Sequence, residues 1–84
     1  MEEFVVYIMY SKNHNKTYVG FTSSLIKRFA SHNTLGKKGW TIKYRPWEVV
    51  HIEVYHHKKQ AMQREKFLKS GKGRQWRKQN ITLQ

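Results

Sequence analysis

Apolar and polar positions along this chain follow two periods, and the switches between them mark its elements. Phe4-Val-Val-Tyr-Ile-Met-Tyr10 is an unbroken apolar run, too short and too rich in β-branched and aromatic side chains for a helix, and it predicts a buried strand. Ser11 to Lys16 supplies turn-forming residues, and Thr17-Tyr-Val-Gly20 resumes strand character. Together they predict a β-hairpin with a longer loop, which brings Tyr7 and Tyr18 close together. The Ser23-Ser24 pair can cap exposed backbone N–H groups, and a helix is predicted from about Ser24 to about Asn33. Leu25 and Phe29 give this helix an apolar stripe, while Arg28 and His32, also four apart, share a neighbouring face. Tyr18, Arg28 and His32 therefore converge at the strand-to-helix junction, or they are a sheet residue, a solvated helix charge and a last-turn residue; this stretch alone weighs both equally.

Thr34 to Pro46 is a long connection with Gly36, Gly39 and the only proline, and it carries Lys37, Lys38, Lys43 and Arg45 with Trp40 and Tyr44 interleaved. Connections of this length are often functional; a surface loop pinned by its two aromatics is the equal alternative. Trp47 to Tyr55 alternates, with Val49, His51, Glu53 and Tyr55 on one face and Val50, Ile52 and Val54 on the other, and predicts a half-buried third strand. Adjacent His56 and His57 point in different directions and have no Asp or Cys nearby, so no metal site is expected there. A second helix is predicted from Lys58 to about Ser70, ended by Gly71 as a C-terminal cap. Ala61, Glu65 and Leu68 fall on one side of it, with Met62 flanking. A carboxylate within an apolar stripe must be paired, protonated or bound to a cation, and an ion pair to Lys or Arg is the plain alternative to a ligand role. Lys72 to Lys78, basic around Trp76, predicts a short third helix, and Asn80 to Gln84 is expected to fray. The fold class is α+β: a three-stranded antiparallel sheet flanked by helices, in the order β-β-α-β-α-(α).

Composition narrows the partner. A chain of 84 residues makes one domain, 1–84, with a modest core that leans on its aromatics. Seventeen Lys and Arg against five acids leave a formal charge of +12, which favours a polyanion, most simply DNA, with RNA carrying the same backbone charge. Zero cysteines exclude disulfides and thiolate metal sites. No apolar stretch approaches the roughly 18 residues of a membrane span, and Met-Glu-Glu-Phe is not a signal-peptide start. The expectation is a cytoplasmic protein, nucleoid-associated if bacterial, monomeric, with no membrane partner and no small-molecule cofactor.

Val5-Val6-Tyr7 and Tyr18-Val19-Gly20, with ten residues between the tyrosines, resemble the paired strand motifs of the GIY-YIG nuclease family. The downstream spacing is similar too. In that family an arginine follows the second tyrosine by ten residues, a histidine or tyrosine comes four later, and a glutamate sits on a subsequent helix; Arg28, His32 and Glu65 match. Arg45-Pro46-Trp47 and the segment Ala61 to Lys69 look like the short stand-alone members, so the resemblance covers nearly the whole chain. Val5 stands where the family name has glycine, and Phe21 where lysine or a polar residue is common, removing a potential phosphate or water contact.

The resemblance implies a Mg²⁺- or Mn²⁺-dependent endonuclease acting on DNA. In it Glu65 is the metal ligand, Arg28 holds the scissile phosphate, Tyr7 or Tyr18 takes the water's proton, and His32 helps set the protons. A hard cation that keeps several waters suits a site with one carboxylate, and a planar guanidinium suits a phosphate. Lys37, Lys38, Trp40, Lys43, Arg45, Lys72, Arg74 and Lys78 are the candidate nucleic-acid contacts. The alternative is a non-catalytic basic nucleic-acid-binding module that keeps the fold, with the tyrosines as packing and Glu65 as a structural ion pair.

Overall fold

β1 (Phe4–Ser11) is the centre of the molecule, and every residue from Val6 to Ser11 is buried. The computed structural model of the chain describes residues 3–35 and 39–81. β1 lies between β2 (Lys16–Thr22) and β3 (Glu48–Tyr55), antiparallel to both, so the sheet order is β2-β1-β3. A strand with a neighbour on each side and a layer on each face has no polar surface to offer, which is why its sequence reads as a continuous apolar run. The other elements are α1 (Leu25–Ala30), α2 (Lys58–Lys69) and α3 (Gly71–Asn80). The three-stranded antiparallel sheet with three helices matches the expected class and order.

Alternate residues of β1 serve two different clusters. Val6 and Ile8 join Val19, Ala61 and Leu68, with Phe21, Phe67 and Trp76 packed against them, so this face is closed by α2 and α3. Tyr7 and Met9 join Trp47 on the opposite face, covered by Leu25, Phe29 and Tyr44. Phe21 therefore belongs to the core under the helices, on the face opposite Tyr7 and Tyr18. Its aromatic identity is set by packing, and the contact with phosphate or water expected at that position is not available to it.

Four local expectations are corrected. Ser24 is the N-cap of α1 but makes no side-chain cap; instead Thr22 Oγ1 accepts from the Ser24 N–H at 3.0 Å. The first helix is α-helical only to Ala30 and widens into a π-helical turn over Ser31–Leu35. Gly71 does not cap α2: Ser70 ends that helix and starts α3, its Oγ accepting from Gly73 N at 3.2 Å. α3 also runs to Asn80, past the predicted end at Lys78. Gly73 is the residue that permits the tight joint, because a Cβ there would collide with the Phe67 carbonyl oxygen.

β3 carries a bulge. Ile8 faces His51 while Met9 faces Val49, leaving Val50 as the extra residue, and Val50 packs with the core under the helices. Beyond the bulge the polar face of the strand turns inward. Glu53 accepts hydrogen bonds from Arg64 Nε at 2.8 Å and NH2 at 3.1 Å and from Tyr55 at 2.8 Å, and it contacts His51 Nε2 at 2.9 Å. Burial pushes the Glu53 carboxyl up, and the bonds from Arg64, His51 and Tyr55 more than reverse it, holding it at about 2. The Arg64 guanidinium also lies 4.6 Å from the centroid of the Trp76 ring, so one arginine ties β3, α2 and α3 together. Ile52 and Val54, on the other face, are about half exposed.

Candidate active site

The site starts from Tyr7, whose ring lies directly over Gly20, its partner on β2. The closeness needs glycine: a Cβ at position 20 would stand 2.6 Å from the Tyr7 phenol oxygen and 2.8 Å from Cζ. Tyr7 is 1% exposed, and its hydroxyl is 3.0 Å from His32 Nε2. His32 Nδ1 is 2.9 Å from Thr41 Oγ1. In the tautomer that carries the proton on Nδ1, Tyr7 donates to His32 and His32 donates to Thr41, an ordered line of three groups.

Arg28, exposed on α1, stands beside the phenols of Tyr7 and Tyr18, and their nearness raises its guanidinium above the ordinary arginine range. Burial pushes the Tyr7 phenol up to about 12, against the pull of Arg28. Burial and the charges of Arg28 and Arg45 push His32 below the ordinary histidine range, so it is neutral at pH 7. Tyr18 completes the wall, with its ring centroid 4.8 Å from that of His32 and 6.2 Å from that of Tyr7. Glu65 enters from α2: its charge acts on Tyr7, and its Oε2 is 3.4 Å from Lys69 Nζ, one helical turn on. The structure thus brings Tyr7, Tyr18, Arg28, His32 and Glu65 to one region.

The connection that leads to β3 brackets the site. Arg45 donates through Nε to the His32 carbonyl at 2.6 Å and through NH2 to the Ser31 carbonyl at 3.0 Å, capping the π-helical turn. Asn33 and the Trp47 backbone exchange two hydrogen bonds, at 2.6 and 3.0 Å, and the Trp47 indole donates to the Thr41 carbonyl at 2.8 Å. Arg45, a candidate nucleic-acid contact, holds through these two bonds the turn that carries His32. Trp40 sits in a short 3-10 turn (Trp40–Tyr44), half exposed, with its ring 27° from parallel to Tyr18 at 6.5 Å and 4.7 Å from Tyr44.

Residues 3–80 match the family model described as the GIY-YIG catalytic domain. The chain belongs to the GIY-YIG family. A UPF0213 protein of Staphylococcus haemolyticus is 34% identical to this GIY-YIG chain over 70 residues, covering 83% of the chain and 84% of the relative. Another, from Bacillus velezensis, is 38% identical over 53 residues, 63% of the chain and only 54% of that relative, so the match spans about half its length. The solution NMR structure of a UPF0213 protein from Bacillus halodurans shares the fold, with a TM-score of 0.53 and 21% identity over 88% of this chain and 80% of that one.

The remaining candidate contacts are spread around this GIY-YIG domain. Lys43, Lys72, Arg74 and Lys78 are exposed, and Lys37 and Lys38 lie outside the described residues. Of the exposed cations, Arg74 lines a groove that also reaches Tyr18. Thr41 and Asn33 were not legible as site residues, because nothing in their spacing announces a bond to His32 or Trp47. Gly20 carried a signal: a residue without a side chain opposite a tyrosine on a paired strand.

Proposed function

We propose that this GIY-YIG domain is a divalent-metal-dependent endonuclease that hydrolyses phosphodiester bonds in DNA with Tyr7, Tyr18, Arg28, His32 and Glu65. The observation that supports it is the Tyr7 hydroxyl set 3.0 Å from His32 Nε2 with the Tyr18 ring 4.8 Å from the same imidazole, beside the Arg28 guanidinium. Arg28 presents its fork to the phosphate and stabilises the charge that grows on the phosphoryl oxygens. The water oxygen bonds to phosphorus as its proton passes to the Tyr7 oxygen. A phenol held at about 12 is a weak acid and cannot wait as phenolate at pH 7, so Tyr7 gives up its own proton to His32 Nε2 in the same step. The phosphorus–oxygen bond to the leaving sugar breaks, and that oxygen takes a proton from solvent. Thr41 holds the receiving imidazole in its tautomer.

Among the described residues no group of three or more His, Cys, Asp and Glu is placed to hold a metal. The donor set fits a hard cation with one protein carboxylate, Glu65, and excludes one that demands a full protein cage. Bound there, Mg²⁺ or Mn²⁺ supplies Lewis-acid stabilisation of the phosphoryl charge. The contact between Glu65 and Lys69 favours the second reading, a binding module in which the carboxylate is simply paired. Under the first reading the protein works in the cytoplasm as a monomer, on nucleoid DNA if the host is bacterial.

Glu65→Gln separates the two. Plasmid, single-stranded and branched DNA are incubated with wild type and variant, with Mg²⁺ or with EDTA, and binding is measured in EDTA. The nuclease reading expects Mg²⁺-dependent cleavage by wild type, its loss in the variant, and nearly equal affinities. Undiminished cleavage by the variant rules out Glu65 as the ligand; no cleavage by wild type leaves the binding module.

A further inference from the structure

A groove of about 350 Å³ runs beside the site, lined by Thr17, Tyr18 and Val19 of β2, Lys69 of α2, and Arg74 and Arg77 of α3. We propose that this groove is a second phosphate site, which holds the backbone of the substrate strand at a phosphate neighbouring the one that is cut.

Its charge is one-sided. Three cations line it, no acid does, and no carboxylate among the described residues pairs with Arg74 or Arg77. A solvated face spreads like charges outward into water, but Arg77 is drawn inward. Its NH1 donates to Thr17 Oγ1 at 3.0 Å, while its Nε is buried with no partner. Burial and the charge of Arg74 both work against this guanidinium. A half-buried cation with a like charge beside it and an unused donor is costly without an anion. Phosphate oxygens supply both the opposite charge and acceptors for the fork.

The groove and the active site are continuous. Tyr18 is a wall of both, and Lys69 lies 5.9 Å from the centre of the Tyr18 ring while reaching Glu65. A strand whose scissile phosphate meets Arg28 therefore passes over Tyr18 toward Arg74 and Arg77. The substrate class follows: an oligonucleotide strand with consecutive phosphates, free to bend across β2, in place of a small phosphodiester.

This inference rests on the nuclease reading for the identity of the cut phosphate, and its test does not require cleavage. The full chain, ¹⁵N-labelled and without metal, is titrated with single-stranded oligothymidylate of about eight nucleotides, a length typical of single-strand sites. The side-chain Nε–H signal of Arg77 and the amide of Thr17 are expected to shift together. Arg74 is exposed, so Arg74→Gln keeps the fold, as the same spectrum verifies. The variant should bind about 3- to 10-fold more weakly, with the slope of log affinity against log salt reduced by about one. Shifts confined to the neighbourhood of Arg28, or an unchanged salt slope, overturn the proposal. Cleavage is scored separately with Mg²⁺: groove shifts without cleavage refute the nuclease reading and leave a backbone-binding groove, and cleavage without groove shifts refutes the groove alone.

Discussion

Gly20→Ala is the sharpest probe of how the site is held. The added methyl would stand 2.6 Å from the Tyr7 oxygen, where ordinary contact begins near 3.4 Å, so the phenol must retreat by about 0.8 Å. Tyr7 has little room, since it is 1% exposed and wedged between β2 and His32. A displacement of that size takes its 3.0 Å contact with His32 out of hydrogen-bond geometry. Overpacking costs about 1–3 kcal/mol, and the entropy gained by replacing glycine in a strand returns about 0.5–1, for a net loss of about 1–2 kcal/mol. In a domain of this size that lowers Tm by about 5–15 °C. A misplacement approaching 1 Å at a reacting group costs about 100-fold in rate. The assay is a thermal melt, DNA affinity in EDTA, cleavage with Mg²⁺, and the His32 titration by NMR, all on one folded variant. Affinity should hold while cleavage falls and the His32 midpoint moves. A variant with wild-type cleavage and an unmoved His32 midpoint would refute the claim that Gly20 sets the place of Tyr7.

Two further outcomes are expected. Glu53 is held at about 2 against an ordinary 4.5, so its stabilising effect is complete above the unfolded value and is lost as pH falls from about 4.5 to about 2. The shift corresponds to about 2–3 kcal/mol after allowing for partial solvent exposure; melts between pH 2 and 7 should show this acid limb in wild type and not in Glu53→Gln, and parallel curves would contradict it. Trp40→Ala should lower the ratio of branched to linear duplex cleavage more than it lowers total cleavage, because the exposed ring stands over Tyr18 and can stack on an unpaired base, worth about 1–3 kcal/mol. An unchanged ratio with a lowered Tm would make Trp40 only an anchor for its turn.

The sequence made the strands legible because burial on both faces, on one face, or on neither leaves different periods. It also made the meeting of Tyr7, Tyr18, Arg28, His32 and Glu65 legible, through spacing that repeats a family pattern. What lay beyond reach depended on distant partners. Arg45 reads as one more cation in a basic loop until the chain path carries it to the Ser31 and His32 carbonyls. Glu53 reads as one member of an alternating strand face until the fold sets Arg64 of α2 against it. Gly71 satisfies every local rule for a helix cap, yet Ser70 serves because its hydroxyl can serve both helices at once. Phe21 looked like a lost phosphate contact and is a core residue on the other face.

The alternation of β1 between two clusters has a consequence for how this protein can change over generations. Substitutions at Val6 or Ile8 alter the packing beneath α2 and α3, while those at Tyr7 alter the chemistry, so drift in one set leaves the other free to persist. Insertions and deletions have no such freedom. A single residue gained or lost within β1 exchanges the two sets, driving a phenol under the helices and a valine toward His32, and ruins stability and site in one event. Lineages of this fold should therefore vary in letter at these positions and hold constant in length, with length changes gathered at the exposed tip around Lys12 to Asn15.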